Sequence, residues 1–247
     1  MILIYSCVFV KHQYIRLLNL LLKSIKEFNN NENYNYLVIT HERYEKRIRD
    51  VLKNNNIIRN DIMLLNIDNI FDACSSRLHI FNYKNINDYE KILYLDTDIL
   101  ITNDLDKIID LELENKLYVL KEKYSREFHC CLFKGKDITE EIKDLTFTSG
   151  ILLFNNNEII KKLFSKILEE IKIYQRKKLK TPKCYDQPFF VYYGIKEDLI
   201  ENKKLIGLCV NNPEEYKKEI ITHFPEVVGN YKHKIEMMKQ YYKKIEK

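Results

Sequence analysis

Residues 91 to 101 read Lys-Ile-Leu-Tyr-Leu-Asp-Thr-Asp-Ile-Leu-Ile, an apolar stretch that runs into two carboxylates, Asp96 and Asp98, and resumes behind them. Alternation along an extended backbone puts both on one side. Two like charges at the end of a buried strand repel each other and lose hydration, and a divalent cation makes the arrangement favourable. Hard oxygen ligands suit Mg²⁺ or Mn²⁺, and a protein that supplies few ligands leaves positions for substrate phosphates. The segment predicts a metal-bridged phosphate compound at the carboxyl end of a central strand. A D-x-D pair by itself is equally well a helix cap or a solvated loop.

Other residues gain meaning beside that pair. His223 follows an apolar stretch and precedes Phe224-Pro225, and an imidazole joining two carboxylates suits Mn²⁺ over Ca²⁺. Gly229 permits close backbone approach, and Lys232 offers a point charge for a diphosphate. Thr148, Ser149 and Gly150 lead into the apolar 151–154, where small residues let a ligand lie against the backbone. Asp186 and Gln187 open a segment with Pro188 in its first turn, so Asp186 is either a plain cap or a carboxylate facing a cleft. Ser6, Cys7 and Val8 end the first apolar run, where a nucleotide base would lie, and Tyr14 either stacks on that base or packs in the core.

The elements that must position these residues alternate. Residues 2–10 form a continuous apolar run, the pattern of a strand buried on both faces. Residues 14–28 carry Leu17, Leu18, Leu21, Leu22, Ile25 and Phe28 at helical spacing. Strands are predicted at 36–40, 62–67 and 91–95, with a charged helix from 42 to about 54 and a helical turn at 77–83. This β-α-β-α-β order implies a parallel sheet with right-handed crossovers, helices on both faces, and ligands at the carboxyl ends of the strands. Further strands are predicted at 117–120, 147–154, 205–210 and 220–222, and helices at about 156–175 and 231–246; the polar 121–145 resists assignment. A basic loop, 176–183, separates two helices. With no internal repeat and no linker, one α/β domain over 1–247 is expected: a nucleotide-binding half at 1–110, an acceptor and donor-sugar half at 111–230, and a terminal helix at 231–247.

Composition narrows the class. The chain has 247 residues, is 45% hydrophobic, and carries a net charge of +5 from 41 basic and 36 acidic side chains, which is too mild for a nucleic-acid groove. Only five glycines are present, so there is no glycine-rich phosphate loop. The six cysteines, including the adjacent Cys130 and Cys131, show no paired metal spacing and fit a reducing compartment. Neither a leader segment nor a membrane-spanning stretch is recognisable, so a soluble cytoplasmic protein is expected.

The ordered set resembles the retaining glycosyltransferases of family 8, the glycogenin and lipooligosaccharide galactosyltransferase group. It comprises the first strand with Tyr14, Arg77-Leu78, Tyr94-Leu95-Asp96-Thr97-Asp98, Ser149-Gly150 before an apolar strand, Asp186-Gln187, and His223-Phe224 with Gly229 and Lys232. The resemblance covers residues 1 to about 238. It implies a GT-A fold, a UDP-sugar donor and Mn²⁺ or Mg²⁺. On that resemblance Asp96, Asp98 and His223 hold the metal, and Gly229 and Lys232 contact the phosphates. Ser6, Cys7, Val8 and Tyr14 border the uracil, Asp96 also approaches the ribose, and Arg77, Thr97, Thr148, Ser149 and Gly150 meet the donor. Asp186 and Gln187 flank the sugar. The chain departs from the family pattern at Thr148, where Asn is usual, in the longer loop at 225–228, and at His233-Lys234, which replace Pro-Trp.

The implied reaction moves a hexose from a UDP-sugar to a hydroxyl of a glycan, a lipid-linked saccharide or a protein, with Asp186 either the nucleophile or a stabiliser of positive charge. Two other readings exist. A phosphatase of the haloacid dehalogenase type also places D-x-D after an apolar strand, but near the amino terminus and with a small residue where this chain has Leu100. A catalytically inactive sugar-nucleotide binder would keep the fold without turnover. The lysines beside the apolar stripe of the terminal helix suit weak contact with an anionic membrane, against the ordinary alternative of a helix packed on the domain. A homodimer is compatible with all of these.

Overall fold

The computed structural model describes residues 1–29, 33–122, 127–133, 137–225 and 231–245. The amino-terminal apolar run forms β1 (Ile2–Val8), followed by α1 (Gln13–Phe28), β2 (Tyr34–Thr40), α2 (Glu42–Asn54) and β3 (Asn60–Leu64). His41 caps α2 by accepting the Arg43 N–H on its side chain. After α3 (Ile70–Ser75) and a 3₁₀ turn at Ser76–Asn82 come β4 (Lys91–Leu95), β5 (Ile99–Ile101), α4 (Asp106–Ile109) and β6 (Leu117–Lys121). The remainder is α5 (Glu140–Asp144), β7 (Phe147–Asn155), α6 (Glu158–Arg176), α7 (Gln187–Lys196), β8 (Ile200–Glu201), β9 (Cys209–Val210), β10 (Ile221–His223) and α8 (Tyr231–Ile245).

Seven strands build the main sheet in the order β3-β2-β1-β4-β7-β6-β8. The first four run parallel, as the β-α-β series requires, and β7 then pairs antiparallel with both β4 and β6. Both faces are covered, which explains the unbroken apolar runs. Ile2, Ile4, Val38, Leu93 and Leu153 face α1 and α2, whereas Leu3, Tyr5, Leu37, Ile92 and Leu152 face α6 and α7. The two sets alternate residue by residue.

A second sheet, β5-β10-β9, has three short strands. The apolar stripe of α8 (Ile235, Met238 and Tyr242) is buried against Leu17 and Leu20 of α1, Leu100 of β5 and Phe224. Of the expected strand at 205–210, only β9 forms, and the expected 62–67 is shifted to β3. Among the described residues no helix is long and apolar enough to cross a membrane.

Candidate active site

At the carboxyl end of β4 the chain turns through Asp96, Thr97 and Asp98, and β5 begins at Ile99. The two carboxylates thus lie in a turn and not on one extended strand. The apolar residues behind them leave β4 altogether and pair with β10, so strand alternation does not place the two carboxylates. That pairing brings in His223, the third residue of the expected metal set. His223 lies opposite Ile99 in the antiparallel register, and the Phe224 N–H donates to the Asp98 carbonyl at 2.9 Å. One donor atom each from Asp96, Asp98 and His223 falls within 4.8 Å of the others.

The imidazole is held in a defined orientation. His223 Nδ1 is 2.7 Å from Asn211 Oδ1, and Asn211 Nδ2 donates to Glu122 Oε2 at 3.1 Å. A carboxylate only accepts, so it takes the amide NH₂ and leaves the amide oxygen for His223. Nδ1 then carries the proton, and Nε2, 3.4 Å from Asp98 Oδ1, keeps its lone pair toward the carboxylates. Beneath the cluster lies Gly150, whose carbonyl accepts the Asp96 N–H at 2.9 Å. A Cβ there would stand 2.6 Å from His223 Cε1 and 3.0 Å from Asp96 Oδ2. Two carboxylates, one imidazole and the space left by a missing side chain fit Mn²⁺ or Mg²⁺.

Arg77 links this cluster to Asp186. Its Nη1 lies 3.4 Å from Asp96 Oδ1, its Nε lies 3.1 Å from Asp186 Oδ2, and its guanidinium covers the Tyr94 ring at 4.5 Å. The Nε hydrogen is directed to the Cys74 carbonyl at 3.0 Å, and Nη1 donates to the Ser149 carbonyl. Asp186 therefore has the charge of Arg77 beside it without a directed hydrogen bond to Oδ2. Burial pushes the Asp186 carboxyl up to about 6, against the opposing pull of Arg77. Burial disfavours the Arg77 charge too, but Asp186 and then Asp96 keep it firmly protonated. Tyr94 completes the group by donating its hydroxyl hydrogen to Asp96 Oδ1.

A cavity of about 450 Å³ opens above the turn, with Asp96, Thr97, Asp98 and Arg77 in its wall. Of the first-strand residues only Cys7 reaches it; Ser6 and Val8 are fully buried. The Ser6 hydroxyl donates to the Leu95 carbonyl at 2.7 Å and ties β1 to β4. Alternation again explains the split, since residues either side of Cys7 must point the other way. Tyr14 lines the cavity, but with a partner the sequence did not suggest: its hydroxyl is 2.6 Å from that of Tyr231, the first residue of α8. Burial, with Tyr231 beside it, raises the Tyr14 phenol above its usual range.

Lys234, also on α8, lines the cavity and lies 2.5 Å from Asp98 Oδ2. Burial alone would raise the Asp98 carboxyl, but the Lys234 ammonium outweighs it and holds Asp98 well below the usual carboxylate range. Lys232 is exposed and is not in the cavity wall. Tyr231 and Lys234 are three residues apart and so share a helix face, whereas Lys232 is turned away. Gly229 lies outside the described residues. Thr148 accepts the Gly150 N–H at 3.2 Å and is buried in β7. Gln187 is buried beside Asp186, and among the described residues its Nε2 has no hydrogen-bond partner. Sequence reasoning missed Asn211, Tyr231 and Lys234; only the pair on α8 left a signal, the helical spacing of an aromatic and a lysine.

The model of the family described as Glycosyl transferase family 8 matches residues 4–195. No curated protein matches the sequence. Among solved structures, WbbM, a bifunctional glycosyltransferase, is similar with a TM-score of 0.64 at 14% identity, over 99% of this chain and 51% of that one. The galactosyltransferase LgtC, solved with donor and acceptor sugar analogues, has a TM-score of 0.63 at 14% identity, over 99% and 96% of the two chains. Mouse xyloside xylosyltransferase 1 has a TM-score of 0.60 at 12% identity, over 93% and 100%. At such identities the likeness concerns the fold, which is of the GT-A type.

Proposed function

The chain belongs to glycosyl transferase family 8 and is a glycosyltransferase; we propose that it moves a hexose from a UDP-sugar to an acceptor hydroxyl with retention at the anomeric carbon. The donor sugar is glucose, galactose or N-acetylglucosamine, and the acceptor a glycan, lipid-linked saccharide or protein. The observation that carries this reading is the convergence of Asp96, Asp98 and His223 over Gly150 at a cavity whose wall also holds Lys11 and Lys234. Asp96, Asp98 and His223 would hold Mn²⁺ or Mg²⁺. Bound there, the cation supplies Lewis-acid charge to the diphosphate.

The protein's own groups divide the remaining work. Lys234 and Lys11 offer positive charge to the diphosphate, which gains negative charge as the sugar departs. Cys7 and Tyr14 border the base. Arg77, fixed by the Tyr94 ring and the carbonyls of Cys74 and Ser149, orients the donor from below. The bond from the anomeric carbon to the diphosphate oxygen breaks, the acceptor oxygen takes that position, and the acceptor proton ends on the departing diphosphate. Asp186 is only 2% exposed and stays against Arg77, which supports charge stabilisation over a nucleophile that must reach the sugar. The amide NH₂ of Gln187 is a buried donor that a sugar hydroxyl would satisfy.

UDP release from the three UDP-sugars, with Mn²⁺ and with a chelator, tests this reading without any acceptor. Mn²⁺-dependent release from at least one donor, lost in Asp98→Ala, is the expected result. Full metal-dependent release in Asp98→Ala, or release of phosphate from a simple phosphomonoester instead, overturns it.

A further inference from the structure

Each carboxylate of the Asp96–Asp98 pair already faces a cation of the protein itself. Arg77 Nη1 lies 3.4 Å from Asp96 Oδ1, and Lys234 Nζ lies 2.5 Å from Asp98 Oδ2. His223 adds no charge, because its Nε2 turns a lone pair toward Asp98 Oδ1. Two carboxylates against two cations leave the cluster close to neutral. A divalent cation on Asp96, Asp98 and His223 adds two positive charges to that balance, and it needs the carboxylate that Lys234 holds. Cations sharing one carboxylate repel each other, most strongly where burial limits screening.

The two resident cations are not equally free to yield. Arg77 is buried, and its guanidinium is fixed by the Tyr94 ring, the carbonyls of Cys74 and Ser149, and Asp186. Lys234 is half-buried in the cavity wall. Besides Asp98 its ammonium approaches the Pro225 carbonyl, at 3.4 Å. A point charge on a flexible four-carbon stem can swing to a new partner without losing a directional fork of bonds.

The helix that carries it is fastened. Ile235, Met238 and Tyr242 are buried against α1, Leu100 and Phe224. At the first turn the Tyr231 and Tyr14 hydroxyls are 2.6 Å apart, and Lys11 Nζ stands 4.8 Å from the centre of the Tyr231 ring. Movement therefore falls to the Lys234 side chain and not to α8. The anion open to it within the same cavity is the diphosphate of a donor.

Resting on the donor reading above, we propose that Lys234 is a built-in competitor of the metal ion: it neutralises Asp98, yields when the cation binds, and passes its charge to the donor's diphosphate. Metal arriving without nucleotide must displace the ammonium into solvent. With the diphosphate in place, the ammonium exchanges one anion for another. Metal and nucleotide thus strengthen each other's binding by the same factor, as linkage requires.

Isothermal titration of Mn²⁺ into the parent, Lys234→Met and Lys234→Gln, each with and without UDP, tests this. In the parent, UDP is expected to tighten Mn²⁺ binding by at least about ten-fold. Both variants are expected to bind Mn²⁺ alone at least about ten-fold more tightly than the parent, and to gain less from UDP. Lys11→Met removes a cavity-wall charge that faces the Tyr231 ring instead of Asp98, and its affinity for Mn²⁺ alone is expected to stay within about two-fold of the parent. Unchanged or weaker binding of Mn²⁺ alone in both Lys234 variants overturns the proposal. So does equal tightening in Lys11→Met, which would make the effect one of general cavity charge, or UDP that binds the parent without altering its Mn²⁺ affinity. Failure of UDP to bind the parent with Mn²⁺ overturns the donor reading instead, and the comparison with Mn²⁺ alone still decides whether Lys234 competes for Asp98.

Discussion

Gly150 and His223 meet so closely that no side chain fits between them: a Cβ on Gly150 would lie 2.6 Å from His223 Cε1. Gly150 is in the middle of β7, where any residue's backbone is at home, so contact and not backbone freedom requires glycine here. The imidazole cannot simply swing aside, because Asn211 holds its other nitrogen. Gly150→Ala should therefore displace His223 or Asp96 and weaken Mn²⁺ binding by about 10–100-fold, the range seen when ligand support is disturbed. Overpacking should cost about 1–3 kcal/mol of stability without unfolding the protein. Titration of Mn²⁺ into folded variant checks this; unchanged affinity would mean that these three side chains do not form the metal site.

Lys234, not the Lys232 expected from sequence, is the α8 lysine that reaches Asp98. A positioned cation facing developing charge is worth about 10²–10³ in rate when removed. Lys234→Ala should accordingly lower kcat by about that factor and weaken UDP binding, while Lys232→Ala stays within about two-fold of the parent, as exposed substitutions usually do. Steady-state kinetics with the best donor, paired with UDP titrations, separate the two. A larger loss in Lys232→Ala than in Lys234→Ala would reverse the assignment.

That exchange of lysines shows where a sequence stops being legible. The long buried strands were readable because they hold unbroken apolar runs, residues 2–5 of β1 and 151–154 of β7, and because strands and helices alternate. The antiparallel direction of β7 was not, since an apolar run carries no sign of its polarity. Strands of two or three residues, such as β5, β8 and β9, are too short to show a period. In the site, residues with unusual chemistry in strong contexts (Asp96, Asp98, His223, Arg77 and Asp186) were visible. Asn211 was not, because it sits in irregular chain and acts through His223. Ser6 and Cys7 could be told apart only once the face carrying the cavity was known.

Asp186 makes stability depend on pH in a definite direction. Its carboxyl is raised from 3.8 to about 6 by burial, so the folded protein prefers the neutral acid. The stabilisation this gives is complete below about pH 4 and is lost as pH rises through about 6. Asp186→Asn keeps the shape and removes the titration. Relative to the variant, the parent should lose on the order of 3 kcal/mol between those limits. Urea unfolding of both proteins in a chelator, at about pH 4 and about pH 7.5, measures this; a constant difference would show that Arg77 compensates the carboxylate fully. The same variant should transfer sugar about 10²-fold or more slowly, because the charge beside the reacting sugar is gone.

Asn211 touches no substrate in the proposed mechanism. It accepts the His223 Nδ1 hydrogen and donates to Glu122, so it sets both tautomer and ring plane. Asn211→Ala should leave the fold intact, weaken Mn²⁺ binding by about 10–100-fold, and raise the KM for metal more than it lowers kcat at saturating Mn²⁺. Asn211→Asp separates orientation from charge. Its carboxylate still accepts from Nδ1 but faces Glu122 as a second anion, so it should recover His223 geometry only when Glu122 is also changed to Gln. Metal titrations on Asn211→Asp, Glu122→Gln and the double variant give the coupling directly. Simple additivity of the two changes would show that Glu122 has no part in aligning the imidazole.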